Sequence, residues 1–322
     1  MLKKFIVAFI SLAVLSSCEK SDRVTLVEST GRINHILIVM KNSHWDGKIG
    51  DEIKDIIGEP LIGLPQEENQ LSVNQVDPLT FNSLFKRHRN ILFVGIDTLN
   101  NFYTNRDVYA SPQTTLTLLG KDKEALIENI RSHREEIISV FKTNDLALYQ
   151  RKITKDFQNP ENIETLKNFG MTMKIPFSYK KVEDTGDFLW YRHDFERGLL
   201  NIIAYEIPYF GDPITEQELI SYRDSIGKNH IPGQFDNTYM KTEPQFIPVT
   251  REVQFANTTA IESRGLWFVE GDFMGGPFLS YTFKDTENWR LIVVEGFSYS
   301  PGAKKRDFVF ELEAILKTVK LD

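Results

Sequence analysis

The chain has 322 residues, with 38 basic and 45 acidic side chains and a formal net charge of −7. Because nucleic-acid phosphates are bound by basic surfaces, this balance excludes generic nucleic-acid binding, and we expect no nucleic-acid partner. A content of 41% hydrophobic and 12% aromatic residues excludes a disordered chain. The single cysteine excludes an internal disulfide and a cysteine-rich zinc site.

The N-terminal segment has the pattern of a secretion signal. Two lysines precede an apolar run from Phe5 to Leu15, which is too short to span a bilayer and is typical of a signal peptide. Two serines then precede Cys18, and this string resembles a bacterial lipobox. The resemblance implies that residues 1–17 are removed and that diacylglycerol and palmitate are attached to Cys18. Residues 18–30 would then form a lipidated tether. The alternative is an ordinary signal peptide followed by a coincidental cysteine.

Apolar patterns along the first half predict alternating strands and helices. Runs of β-branched residues predict buried strands, whereas isoleucines at helical spacing between Ile49 and Ile57 predict a helix that ends near Gly58. The predicted elements are, in order, a strand at 33–40, a helix at 49–57, strands at 71–76 and 91–96 with a short helix after Pro78 between them, a strand at 109–119, and a long helix from 126 toward 157. This alternation is typical of an α/β domain with a mixed sheet, which we place at residues 31–155.

The second half has a different pattern, with many strands in succession. The predicted elements are a helix at 163–169, strands at 171–179, 188–193 and 199–207, a helix at 215–226, a loop over 227–248, strands near 253 and at 266–269, 278–283 and 291–297, and a closing helix at 308–319. Consecutive strands joined by short turns predict an antiparallel sheet packed by helices. We therefore expect an α+β domain over residues 156–322.

Short strings in both halves resemble one protein family. They include Gly31-Arg32-Ile33-Asn34, Gly63-Leu64-Pro65-Gln66, Tyr222-Arg223-Asp224, Arg264-Gly265-Leu266-Trp267, Met274-Gly275-Gly276-Pro277-Phe278 and Glu295-Gly296-Phe297. Together they resemble a family of bacterial envelope lipoproteins, domain of unknown function 4837, across nearly the whole mature chain. The resemblance implies an envelope lipoprotein without an established activity and supplies no catalytic residues. The second half also resembles the α/β/α sandwich of the PsbP and Mog1 class, which is a likeness of fold alone.

Two basic clusters are candidate anion-binding sites: Lys86, Arg87 and Arg89, and Lys304, Lys305 and Arg306. The first cluster follows a predicted short helix, where cations complement the helix dipole, which would give the cluster a structural role. The alternative is that it binds an anionic partner: a phosphate, a lipid headgroup or an acidic glycan. The second cluster opens the last predicted helix, where the dipole disfavours cations. Either a nearby carboxylate or a bound anion would explain it.

A third candidate site lies between Arg264 and Phe278. Arg264 and Trp267 can hold a polar ligand, and the Gly275-Gly276-Pro277 string lets a backbone approach closely. The alternative is structural: the glycines and proline form a hairpin turn, Trp267 fills the core and Arg264 pairs with a carboxylate.

No catalytic motif stands above chance: the two S-x-x-K matches, at Ser178 and Ser225, have no SDN or KTG partner. The histidines do not form a recognisable metal pattern. His44 and His193 each lie near carboxylates, but the two clusters are far apart along the chain. We therefore expect no cofactor, no metal and no catalytic residue. The leading hypothesis is a non-enzymatic binding module of the cell envelope, lipid-anchored in the outer membrane on its periplasmic face or at the cell surface. Its partners would be the membrane, through the lipid on Cys18, and an envelope protein or glycan. The alternatives are a hydrolase whose site forms only in the fold, and an accessory subunit of an envelope complex.

Overall fold

The computed structural model describes residues 26–211 and 213–321. In its first half the strands are β1 (Val27–Glu28), β2 (His35–Val39), β3 (Ser72–Val76), β4 (Asn90–Ile96), β5 (Asn101–Arg106), β6 (Ala110–Ser111) and β7 (Thr114–Gly120). The helices there are α1 (Asn42–Trp45), α2 (Lys48–Ile57), α3 (Ser83–Lys86), α4 (Lys123–Ser132) and α5 (Arg134–Ile153).

The first half forms a mixed sheet with the strand order β3-β2-β4-β7-β5. Its first four strands are parallel, and β5 pairs with β7 in the antiparallel direction. Apolar residues of β2, β4 and β7 pack against α2, α4 and α5 in one core cluster. The isoleucines of α2 lie on its buried face, as their helical spacing predicts. The predicted mixed sheet with interleaved helices is confirmed.

Two predicted elements in the first half differ from the structure. The strand expected at 109–119 is divided into β6 and β7, and β6 pairs with β1 outside the main sheet. The long helix is divided into α4 and α5 at His133, and α5 ends at Ile153 rather than near 157. Strand β5 was not predicted, because its sequence is polar and five of its six residues are exposed.

The second half has ten strands and three α-helices among the described residues. The strands are β8 (Met171–Thr172), β9 (Lys180–Asp184), β10 (Phe188–Phe195), β11 (Gly198–Pro208), β12 (Tyr239–Thr242), β13 (Val249–Phe255), β14 (Thr258–Glu270), β15 (Gly275–Asp285), β16 (Arg290–Tyr299) and β17 (Lys320–Leu321). The helices are α6 (Glu164–Asn168), α7 (Glu216–His230) and α8 (Arg306–Leu316).

The large sheet of the second half is antiparallel, with the order β12-β14-β15-β16-β11-β10-β9 and with β13 also paired to β14. Residues of α6 and α8 join one core cluster of this sheet, and residues of α7 join a different one. Helices therefore cover the sheet in two separate cores, and the predicted antiparallel sheet packed by helices is confirmed.

The second half also corrects several predicted boundaries. The strand expected at 171–179 is only the short β8, which pairs with β17. Helix α7 begins after Thr215, whose hydroxyl forms a capping box with Glu218, and it continues to His230. The loop expected at 227–248 contains β12, which extends the sheet by pairing with β14.

The two halves pack together through α5 and α8. The ring of Tyr149 on α5 meets the ring of Phe310 on α8 edge to face, with 6.1 Å between the ring centroids. Gln150 Nε2 donates a hydrogen bond to the Ala314 carbonyl oxygen at 3.1 Å.

Candidate functional site

Cys18, the predicted lipidation residue, lies outside the described residues. Within residues 26–211 and 213–321, no helix is long and apolar enough to cross a membrane.

The first basic cluster lies beside strand β1. The Lys86 ammonium lies 5.4 Å from the centre of the Tyr109 ring, and Arg87 donates to the backbone oxygen of Glu28. Arg89 instead points inward, with its Nη1 3.7 Å from Oδ1 of the buried Asp145. The structure thus separates the three cations: Arg89 has an internal ion pair, whereas Arg87 is exposed and Lys86 half-buried beside the N-terminal strand.

The second basic cluster opens α8, and a carboxylate from the other half of the chain lies there. The backbone N–H groups of Lys305 and Arg306 donate to the two oxygens of Glu68, at 2.6 and 3.3 Å. Glu68 is buried, so it occupies the position at the helix N-terminus that an anion would otherwise take. Arg306 donates further to Ser72 and Asp307, and Lys304 is exposed. The sequence left two explanations for this cluster, a nearby carboxylate or a bound anion. The structure shows a nearby carboxylate, that of Glu68.

Arg264 is buried, with 7% of its surface exposed, and lies between two carboxylates. Its Nε donates to Glu262 Oε1 and its Nη2 to Glu313 Oε2, both at 2.9 Å. Burial of a guanidinium is tolerated when such charge-assisted hydrogen bonds compensate the lost water. Arg264 therefore pairs with carboxylates, as the structural alternative predicts. These bonds leave Nη1 as the part of its guanidinium that is available to a ligand.

Trp267 is buried in the second core of the large sheet. Its Nε1 donates to the Ser298 carbonyl oxygen at 3.2 Å, and its ring meets Phe297 edge to face. The Gly275-Gly276-Pro277 string does not form a hairpin turn, because it begins β15 and the turn precedes it at 271–274. Gly276 is required there, since a Cβ would lie 2.0 Å from the Ser298 oxygen.

An open cleft of about 530 Å³ lies between this turn and the loop of the first half that contains Pro65 and Gln66. Its apolar lining consists of Phe246, Leu266, Trp267, Phe268, Phe273 and Met274. Phe273 is fully exposed, which is rare for a phenylalanine without a partner surface. The polar lining includes Glu243, Asp272, Ser300 and Lys305.

Two polar atoms at the cleft lack a hydrogen-bond partner within the part of the chain that the structure describes. Asp272 accepts the Phe273 backbone N–H through Oδ1 at 2.6 Å, while its Oδ2 is unpartnered. The hydroxyl oxygen of Ser300 is also unpartnered. Both oxygens are buried, and buried polar groups are normally paired, so each would gain a hydrogen bond if its side chain turned toward a molecule bound in the cleft. Asp272 lay in the segment singled out by sequence, whereas Ser300 and Phe246 were missed because they are distant from it along the chain.

The serine–histidine contact that most resembles catalytic machinery lacks the required hydrogen-bond geometry. Ser132 Oγ lies 3.2 Å from His133 Nδ1, and His133 Nε2 lies 3.7 Å from Glu136. However, His133 Nδ1 also lies 2.8 Å from the Asn129 carbonyl oxygen, which can only accept a hydrogen bond. Nδ1 therefore bears the proton and cannot accept one from Ser132. Among the described residues, no three His, Cys, Asp or Glu side chains converge as metal ligands do.

Comparisons with known proteins concern the two halves separately. Residues 158–318, half of the chain, match a family model described as domain of unknown function (DUF4837). The chain belongs to the DUF4837 family. Residues 29–154 match a second model, also described as a domain of unknown function (DUF8532). The family expected from the sequence is thus confirmed, and the strings from the first half lie within the second model rather than within DUF4837.

Solved structures similar to this DUF4837 protein are distant. LpqN from Mycobacterium tuberculosis, described as involved in cell envelope biogenesis, is 8% identical, with a TM-score of 0.28 over 47% of this chain and 82% of that chain. The Ran-binding protein Mog1p from Saccharomyces cerevisiae is 10% identical, with a TM-score of 0.30 over 47% of this chain and 90% of that chain. No curated protein sequence matches the chain.

Proposed function

We propose that this DUF4837 protein is an envelope lipoprotein, anchored through Cys18, that binds a hydroxyl-rich ligand of the glycan class without transforming it. The observation that supports this most is the cleft that combines the fully exposed Phe273 with the unpartnered acceptors of Asp272 and Ser300. A largely apolar cleft with a few convergent polar groups is typical of a small-molecule site.

The lining favours a glycan over a purely apolar molecule. An apolar ligand would cover the Asp272 carboxylate without supplying a donor, and an unpaired buried charge is costly. Sugar hydroxyl groups can donate to Asp272 and Glu243, while the C–H face of a sugar ring packs on an aromatic side chain such as Phe273. The open shape of the cleft suits one end or one segment of a longer saccharide.

The proposed anchor agrees with the position of the first basic cluster. Cys18 lies nine positions before Val27, so a fully extended tether reaches roughly 30 Å from the bilayer to β1. Lys86 and Arg87 lie beside β1, so a tether that is not fully extended lets these cations come close to lipid headgroups. Each cation near an anionic surface contributes about 1 kcal/mol, which supplements the acyl chains. We place the protein on the outer membrane, at its periplasmic face or at the cell surface.

Incorporation of labelled palmitate in growing cells tests the anchor. The wild-type protein is expected to acquire the label and to fractionate with membranes, whereas Cys18→Ala acquires none and is released in folded form. Ser21→Ala, a change in the same tether, is the matched control and keeps the label. Membrane retention of a folded, unlabelled Cys18→Ala variant would contradict the proposal.

Binding to soluble oligosaccharides released from bacterial envelopes tests the cleft. Calorimetric titration should give saturable binding, and Phe273→Ala and Asp272→Asn should each raise Kd about tenfold, which corresponds to about 1.4 kcal/mol. Phe210→Ala is the control, because Phe210 is also highly exposed but does not line the cleft. Failure of every oligosaccharide to bind would refute the glycan class. Turnover of a bound oligosaccharide would support the hydrolase alternative, and specific photo-crosslinking of one envelope protein from position 273 would support the accessory-subunit alternative.

A further inference from the structure

A second cavity, of about 120 Å³, lies where α5 of the first half meets β13, β14 and α8 of the second. Its charged lining consists of Lys142, Arg251, Arg264, Glu262 and Glu313. Lys142 comes from α5, and Gln70, beside it, comes from the loop before β3. None of these side chains lines the cleft described above.

The two carboxylates of this cavity already have cationic partners. Glu262 accepts from Arg251, Arg264 and the hydroxyl group of Tyr281, at 2.8, 2.9 and 3.1 Å. Each oxygen of Glu313 is likewise occupied, Oε2 by Arg264 at 2.9 Å and Oε1 by Lys317 at 2.6 Å. All four carboxylate oxygens therefore accept hydrogen bonds without any contribution from Lys142.

Two cationic groups in the cavity have hydrogen-bond donors that are not used within the described residues. Among the described residues, Nη1 of Arg264 is buried and has no hydrogen-bond partner. The Lys142 ammonium donates only to Gln70 Oε1, at 3.1 Å, and no carboxylate forms a salt bridge with it in the described structure. Burial lowers the pKa of Lys142, and Arg264 lowers it further, whereas Glu313 acts in the opposite direction. When Lys142 is protonated, the lining has three cations and two carboxylates.

We propose that this cavity binds a small oxyanion, the phosphate or carboxylate group of a ligand, between Lys142 and the Nη1 side of Arg264. A guanidinium and an ammonium group often bind such oxyanions together. A bound anion would balance the positive charge of Lys142 and of the Nη1 side of Arg264. The cavity is larger than the roughly 30 Å³ that one water molecule occupies, so an oxyanion has room. Ile62 and Arg251 on its wall are partly exposed, which gives the anion a path from solvent.

Calorimetric titration of the purified full-length mature protein in detergent, at low ionic strength, tests this site with inorganic phosphate and with acetate. Saturable binding of one or both is expected, and Lys142→Gln should weaken it at least tenfold. Lys152→Gln is the control, because Lys152 is an exposed cation on the same helix and should leave Kd unchanged. Preference for phosphate or for acetate distinguishes the two kinds of oxyanion.

A thermal-shift measurement keeps the proposal testable if a variant of Arg264 fails to fold. Phosphate or acetate should raise the melting temperature of the wild type and of Lys152→Gln, and should do so much less for Lys142→Gln. Arg264→Lys, which keeps the charge but removes the Nη1 donor, should bind more weakly where it folds. Equal effects of the anions on wild type, Lys142→Gln and Lys152→Gln, or no binding of either anion to the wild type, would overturn the proposal.

Discussion

Replacement of Glu295 by glutamine should strongly destabilise the second half. Glu295 on β16 is fully buried, and both of its oxygens accept from Arg223 of α7, at distances between 2.6 and 3.1 Å. Arg223 also donates to Thr242 of β12, and its guanidinium lies 3.9 Å from the centre of the Phe278 ring. This one ion pair therefore links α7 to the middle of the antiparallel sheet and to its edge strand.

The expected loss follows from what Glu295→Gln leaves behind. Arg223, which is 4% exposed, keeps its positive charge without a carboxylate to compensate it. Removal of one partner from a buried pair costs about 3–5 kcal/mol. Because the free energy of unfolding of natural domains is about 5–15 kcal/mol, such a loss is a large part of the total stability. Replacement of both partners by apolar residues, Arg223→Met with Glu295→Leu, removes the uncompensated charge and should recover most of the loss.

Urea unfolding followed by tryptophan fluorescence measures these free energies, and Glu270→Gln is the matched control. Glu270 pairs with Lys241 at 3.3 Å on the surface, where such a pair contributes at most about 1 kcal/mol. A loss below about 1 kcal/mol for Glu295→Gln, no larger than that of the control, would refute the argument from burial. So would a double variant less stable than Glu295→Gln.

Three further predictions concern other parts of the structure. Burial lowers the pKa of His88 from 6.5 to about 4, so the folded state disfavours its protonated form. The free energy of unfolding should therefore fall as the pH decreases from about 6.5 toward 4. His88→Gln should flatten that slope in urea titrations at several pH values. Glu68→Ala removes the carboxylate at the start of α8 and should lower the unfolding free energy by about 1–2 kcal/mol; an unchanged urea midpoint would contradict this. Gly276→Ala should lower the melting temperature by several degrees, because its Cβ would clash with the Ser298 oxygen, whereas Gly95→Ala, whose Cβ would meet only a Leu119 methyl group at 3.6 Å, should have a much smaller effect.

Elements with a strong apolar period were predictable from sequence. Strands β2 and β4 appear as apolar runs because both of their faces are buried, and α2 appears as isoleucines at helical spacing because one of its faces is buried. Strands β5 and β12 were not predictable, because both are edge strands whose formation depends on pairing with β7 and β14 rather than on their own composition.

The candidate sites were predictable only in part, for a related reason. The segment around Arg264 and Asp272 stood out because it combines charge, aromatic residues and glycines over a short distance. Its partners are remote: Glu313 lies 49 positions from Arg264, and Glu68 lies 237 positions from Lys305. Local patterns contain no information on such pairs, so the buried carboxylate at the start of α8 and the charged cavity emerge only in the fold.

The contact between Glu68 and α8 has a consequence for how this protein evolves. Glu68 lies in the segment that matches one family model, and Lys305 and Arg306 lie in the segment that matches the other. A recombination event that exchanged one segment for an unrelated one would leave a buried carboxylate or bare helix N–H groups at the junction. Selection would therefore act on the two segments together. In relatives that contain both, a change at position 68 should be accompanied by a change at the first turn of α8.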